Sequence, residues 1–167
     1  MKIAKILSSF PKTRPPISDK LRNIYADHYK KNKPLLGICL GMQLLFTKSN
    51  EFGETKGLDI FKGKVCKLNS DNDKKYKIPN IGWYKLKENL EAIKDNNITE
   101  LNNGEYYHVH SYHCKPIDTK KITHQIDFNN NKVCVSYRDK NVVGVQFHPE
   151  KSRNAGLDFL NFFASMK

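Results

Sequence analysis

Lys33-Pro34-Leu35-Leu36-Gly37-Ile38-Cys39-Leu40-Gly41-Met42-Gln43-Leu44-Leu45-Phe46 is the stretch on which the reading of this chain turns. A short apolar run, Pro34 to Leu36, leads into Gly37-Ile38-Cys39-Leu40-Gly41, and an apolar helical pattern follows from Met42 to Phe46. A strand that ends in Gly-x-Cys-x-Gly and opens a helix is what a nucleophile elbow requires. Small flanking residues permit a turn sharp enough to expose the thiol at the helix N-terminus, where the macrodipole favours thiolate. Cys39 is therefore the leading catalytic candidate. A cysteine after an apolar strand is also commonly a buried small hydrophobe, so the reading needs a base and an orienting group.

Both occur in Gln146-Phe147-His148-Pro149-Glu150. In an extended segment, residues two apart point the same way, so the Glu150 carboxylate is placed to steady the His148 imidazole while Pro149 stiffens the link. Nucleophile, base and orienter then follow one another in the order Cys39, His148, Glu150, about a hundred residues apart, as spatially convergent triads often are.

The rest of the chain reads as one α/β domain. Ser18 to Asn32 forms a helix with Ser18 as N-cap and an apolar face of Leu21, Ile24, Tyr25 and Tyr29. The polar stretch 47–56 is loop-like, 63–68 and 77–87 are strands, and 69–75 is a charged hairpin tip or loop. Residues 105–112, 121–128, 133–137 and 142–147 are further strands, the middle two joined by an Asn129-Asn130-Asn131 turn. A final helix over 155–166 buries Leu157, Phe159, Leu160, Phe162 and Phe163. There are no internal repeats.

At 167 residues, with 38% hydrophobic and 28% charged residues, the chain suits a single soluble domain. The first ten residues hold only a short, interrupted apolar stretch, too small for a signal peptide or a membrane span, so a cytoplasmic location is expected. Cys39, Cys66, Cys114 and Cys134 lack paired C-x-x-C spacing, which suggests neither a metal site nor a disulfide framework. The net charge of +12 comes from 29 basic residues of which only Arg14, Arg22, Arg138 and Arg153 are arginines. The lysines are spread through Asn- and Asp-rich segments rather than gathered with aromatics, which reads as a solvated surface or a field for acidic or phosphorylated partners, not a nucleic-acid site.

Four stretches, in order, carry a resemblance to a known family: Lys33 to Phe46, Ile78-Pro79-Asn80-Ile81-Gly82-Trp83, Tyr106-Tyr107-His108-Val109-His110-Ser111-Tyr112, and Gly144 to Ser152. They resemble the class I (triad) glutamine amidotransferases, and among these the glutaminase subunits of imidazole glycerol phosphate synthases. The resemblance implies a flavodoxin-like α/β sheet and hydrolysis of L-glutamine by a Cys39-His148-Glu150 triad without cofactor or metal. It also implies that ammonia passes to a (β/α)8-barrel cyclase/synthase subunit of histidine biosynthesis. By the same resemblance Leu40 N–H is an oxyanion donor, Gln43 contacts the bound glutamine, and His110, Ser111 and Tyr112 pair with its amino-acid end. Tyr107 and Lys151, with Pro79 and Trp83, correspond to the partner interface.

The front of the chain departs from that pattern. Only 38 residues precede Cys39, and the family's first strand-helix-strand unit, which needs about thirty residues or more, does not fit into residues 1–17; its Pro-Gly-Val-Gly oxyanion loop does not occur. Residues 1–17 read as a divergent or truncated N-terminus within a 1–167 domain. Losing an oxyanion donor typically costs about a hundredfold to a thousandfold in turnover, so an impaired subunit that acts by partner binding is one alternative. An amidotransferase serving another acceptor, such as a surface-sugar amidine, is the other.

Overall fold

The computed structural model describes residues 17–69, 76–90 and 101–166. The hairpin tip expected over 69–75 lies almost wholly outside them, as do residues 1–16. Ser18 caps helix α1 (Asp19–Lys30), its side chain accepting from Leu21 N–H at 3.3 Å. This helix has no buried residue. Tyr25 and Tyr29 lean on the core, but Leu21 and Ile24 of the expected apolar face stay exposed.

Strand β1 (Leu35–Ile38) follows and runs into helix α2 (Leu40–Leu45). The segment read as a loop is instead structured. Strands β2 (Phe46–Ser49) and β3 (Thr55–Lys56) form a small antiparallel pair, and β2 lies parallel to β4 (Phe61–Lys67). Phe46 explains the difference: fully buried, it packs edge-to-face on Phe61 and Tyr137, so the polar residues after it are held in the sheet by their anchor. Next come β5 (Asn80–Lys85), β6 (Lys87–Glu88), β7 (Glu105–His110), β8 (Tyr112–Pro116), β9 (Ile122–Phe128), β10 (Asn131–Asp139) and β11 (Val142–Val145). The run read as one strand over 105–112 breaks at Ser111. β7 pairs with β5 in a two-stranded sheet, whereas β8 joins the main sheet between β10 and β4.

Among the described residues the main sheet has nine strands, ordered β1-β11-β10-β8-β4-β2-β3, with β9 pairing β10 and β6. It is mixed: β1–β11 and β2–β4 are parallel, the other pairings antiparallel. One apolar cluster lies on the α2 side, around Leu35, Met42, Leu45, Phe46 and Phe61. A second gathers Leu36, Tyr106, Val143, Val145 and Phe147 under helix α3 (Arg153–Ser165). Helix α3 buries Ala155, Gly156, Phe159 and Phe163, with Leu160 and Phe162 partly covered. Leu157, expected inside, is exposed, because it falls off the i, i+4 stripe set by Ala155, Phe159 and Phe163.

The parallel pairing of β1 with β11 matters most for the site. Their register aligns Leu35 with Val142 and Ile38 with Val145, so Cys39 and Gln146 leave the sheet side by side. The backbone seals this junction: Cys39 N–H donates to Val145 O at 2.7 Å.

Candidate active site

Cys39 stands between β1 and α2 with φ 51° and ψ −106°, outside the usual basins for a residue with a side chain. Such strain costs of order 1–3 kcal/mol and persists where the surroundings over-determine it. Here they do. A Cβ on Gly37 would lie 2.8 Å from the Gly41 backbone, so the strand and the first turn of α2 close on each other only because position 37 is glycine. The Gly-x-Cys spacing is thus a packing requirement that throws the thiol outward.

The thiol sits at a cleft of about 520 Å³. Leu40, Gln43, Pro79, His110, Ser111, Tyr112, His148 and Lys151 share its lining, so the fold gathers most of the residues singled out from the sequence. Glu150 stands behind His148, its Oε1 2.9 Å from His148 Nδ1. The spacing works, although not by strand alternation: β11 ends at Val145, and Pro149–Lys151 form a 3₁₀ turn with Pro149 in its first position. Trp83 and Tyr107 lie outside the cleft, paired edge-to-face at 5.5 Å across β5 and β7. Lys151 bridges the two places, lining the cleft while its Nζ stands 5.8 Å from the Tyr107 ring centre.

Several residues without a sequence motif of their own complete the site. Ser152, fully buried, donates to His148 O at 2.6 Å and accepts from Tyr107 N–H at 3.0 Å, while His148 N–H donates to Tyr107 O at 2.9 Å. These three bonds pin the His148 turn to β7. Gly156 completes the seat: a Cβ there would meet Pro149 O at 1.8 Å, so α3 can approach the turn only without a side chain at this position. Arg153 lays its guanidinium 4.6 Å from the Trp83 ring centre, extending the aromatic patch with a cation. Gln146, also fully buried, directs its amide at Cys39 Sγ, 3.6 Å away. A polar side chain straight after the apolar run Val142–Val145 was the available signal for it.

The electrostatics correct one expectation. The helix terminus is outweighed in the resting chain: burial, helped by the Glu150 carboxylate, pushes the Cys39 thiol up to about 11 against the downward pull of Leu40 N–H. The α2 helix has six residues and little dipole to oppose desolvation. A neutral thiol must therefore hand its proton to a base. The His110 ring is equally shaped by burial, which lowers it to about 4. Its Nδ1 lies 2.8 Å from Tyr112 O, a carbonyl that only accepts, so Nδ1 carries the proton. Nε2 then accepts from Asn80 Nδ2 at 3.3 Å, and Asn80 Oδ1 accepts from Tyr84 Oη at 2.5 Å.

No helix among the described residues is long and apolar enough to cross a membrane. The family model described as glutamine amidotransferase class-I matches residues 6–164. The chain is 40% identical over 138 residues to the imidazole glycerol phosphate synthase subunit HisH of Chlorobaculum tepidum, covering 83% of this chain and 66% of that one. It is 42% identical over 153 residues to the protein of the same name from Pyrococcus furiosus, covering 88% and 74%. The matched region thus spans about two thirds to three quarters of these relatives. Among solved structures, PurLQS from Thermotoga maritima superposes with a TM-score of 0.60 at 19% identity, over 87% of this chain and 67% of that one. A glutamine amidotransferase superposes at 0.59 and 14% identity, over 86% and 68%; at these identities the likeness speaks for the fold alone. A strained cysteine elbow, a carboxylate-backed histidine in the same cleft, and a family match over nearly the whole chain agree: the chain belongs to the class-I glutamine amidotransferases.

Proposed function

We propose that this chain hydrolyses L-glutamine at Cys39 and supplies the ammonia to a synthase subunit, as the relatives named imidazole glycerol phosphate synthase subunit HisH suggest. The observation that carries the reading is the strained Cys39 elbow sharing one cleft with a His148 whose Nδ1 is held by Glu150. With Nδ1–H directed at the carboxylate, His148 Nε2 is the base.

The thiol proton passes to Nε2 as Sγ attacks the carboxamide carbon, and the oxygen becomes an oxyanion beside Leu40 N–H. His148 returns the proton to the leaving nitrogen, the C–N bond breaks, and ammonia departs from a γ-glutamyl thioester. Water then gives a proton to His148 and attacks the thioester carbon; collapse expels the sulfur, which recovers the proton, and glutamate leaves. The His110-Ser111-Tyr112 corner, where β7 breaks into β8, offers polar groups for the amino-acid end of the substrate. Both Gln43 Nε2 hydrogens are already used, on Tyr112 O at 3.1 Å and Gln146 Oε1 at 3.2 Å, so Gln43 meets substrate through its Oε1.

A glutamine-shaped electrophile tests the assignment. It should label Cys39, which lines the cleft, and spare Cys114 and Cys134, whose thiols are buried and pushed far up. Cys66, half-buried on β4, is the control for ordinary thiol reactivity. Peptide mapping that finds Cys66 modified and Cys39 untouched would remove the proposal.

The partner side of the reading rests on the Trp83-Tyr107-Lys151-Arg153 patch, where two edge-to-face rings each carry a cation. Trp83 keeps 37% of its surface exposed, and aromatic and arginine side chains are what interfaces concentrate. We place the (β/α)8-barrel subunit here, with an acidic surface facing Lys151 and Arg153. Lys151→Glu should weaken assembly about tenfold, roughly 1.4 kcal/mol, by titration calorimetry against that subunit. Unchanged affinity would move the interface elsewhere.

A further inference from the structure

A chain of side-chain amides ends on the reacting sulfur, and its polarity is fixed from the far end. Tyr112 O is a carbonyl and only accepts, so the Gln43 atom 3.1 Å from it is the NH2 group. The second hydrogen of that group points at Gln146, 3.2 Å away, and needs an oxygen there. Gln146 therefore presents Oε1 to Gln43 and has Nε2 left for Cys39 Sγ at 3.6 Å. Turning the Gln146 amide over would set two NH2 groups against each other; turning both would set an oxygen against the Tyr112 carbonyl. Gln43 and Gln146 are 5% and 0% exposed, so water cannot relieve either arrangement.

From this we infer that Gln146 is a further catalytic residue, a buried donor that stabilises the Cys39 thiolate and aims the sulfur into the cleft, with Gln43 as the positioning residue that sets its polarity. The inference rests on Cys39 being the nucleophile. It explains why a glutamine occupies a fully buried place straight after an apolar strand, where the backbone is already satisfied by Gln146 N–H donating to Val135 O at 2.9 Å. Burial and the Glu150 carboxylate oppose ionisation of Cys39, Leu40 N–H favours it, and the Gln146 amide adds a second donor on the favourable side. A donor with no charge of its own favours thiolate without requiring a buried counter-ion.

The test reads the thiol, not glutamine turnover, so it stands apart from the substrate assignment. Iodoacetamide alkylation of Cys39, followed by peptide mass across pH, should give a midpoint raised by about one unit in Gln146→Glu, with the rate at pH 8 about tenfold lower. Glu keeps an oxygen for Gln43 and, once ionised in the alkaline range where the thiol titrates, replaces the donor with a carboxylate. Gln146→Met, close in shape and without a donor, should shift the midpoint the same way by less, with Cys66 alkylation unchanged in both. Wild-type Cys39 profiles in folded variants would overturn the inference. The unsubstituted chain gives a second readout free of folding effects: the Gln146 side-chain amide protons, followed by nitrogen-15 NMR, should titrate with the Cys39 alkylation midpoint. A Gln146 amide that stays still while Cys39 ionises would overturn the inference equally.

Discussion

His148→Ala should lower glutamine hydrolysis by about a thousandfold or more, while Glu150→Gln leaves a larger residue of activity. The two substitutions probe different parts of one hydrogen-bonded pair. Removing the imidazole deletes the base we propose for the proton of a thiol that burial holds near 11, and general acid-base catalysis of this kind is worth about a hundredfold to ten-thousandfold. Replacing Glu150 keeps a partner for Nδ1 at the 2.9 Å contact but withdraws the charge that steadies the imidazolium. It also withdraws a charge that pushes the Cys39 thiol up, so the two consequences of Glu150→Gln oppose each other and the net loss is smaller. Steady-state ammonia release from the two variants, with the partner subunit at a fixed concentration, separates them. Near-normal hydrolysis in His148→Ala would make the pair a structural one.

The elbow was legible in the sequence because its chemistry and its packing require the same residues. Gly37 must be small for strand and helix to meet, and the cysteine must follow at a fixed distance. His148 and Glu150 were legible for a similar reason, two residues apart across a proline, although the geometry that joins them is a 3₁₀ turn, not a strand. What the sequence left hidden depends on partners distant in the chain. Gln146 acquires its meaning only when β1 and β11 run parallel and bring it beside Cys39. Ser152 reads as a surface serine until its hydroxyl is seen tying the His148 turn to β7. The same limit applies to β2, whose polar residues belong to the sheet through the burial of Phe46 against Tyr137, ninety-odd positions away. The thiol's ionisation stays hidden because a helix N-terminus is visible in sequence and the desolvation that outweighs it is not.

The buried histidines predict that the domain loses stability steeply in mild acid. Burial lowers His110, His113 and His124 from an ordinary 6.5 to about 4 each, and holds His108 well below its ordinary value too. For His110 a hydrogen bond adds to burial: Nε2 accepts from Asn80 Nδ2 at 3.3 Å, so a proton there would face that amide's hydrogens. Between about pH 6.5 and 4 the unfolded chain binds protons that the folded chain refuses. Stability is therefore fully present above pH 6.5 and falls as pH drops through that window. At pH 5 each of the three groups costs about 2 kcal/mol relative to pH 7. Even one such loss is a sizeable part of the about 5–15 kcal/mol that holds many domains together. Urea unfolding at pH 7 and pH 5 should show a midpoint that collapses at the lower value. His113→Gln and His124→Gln, whose side chains do not titrate, should each flatten the dependence; neither residue lines the catalytic cleft. If the midpoints at the two pH values coincide, the histidines are protonated at no cost, and the neutral Asn80-His110-Tyr112 network described for the site is wrong.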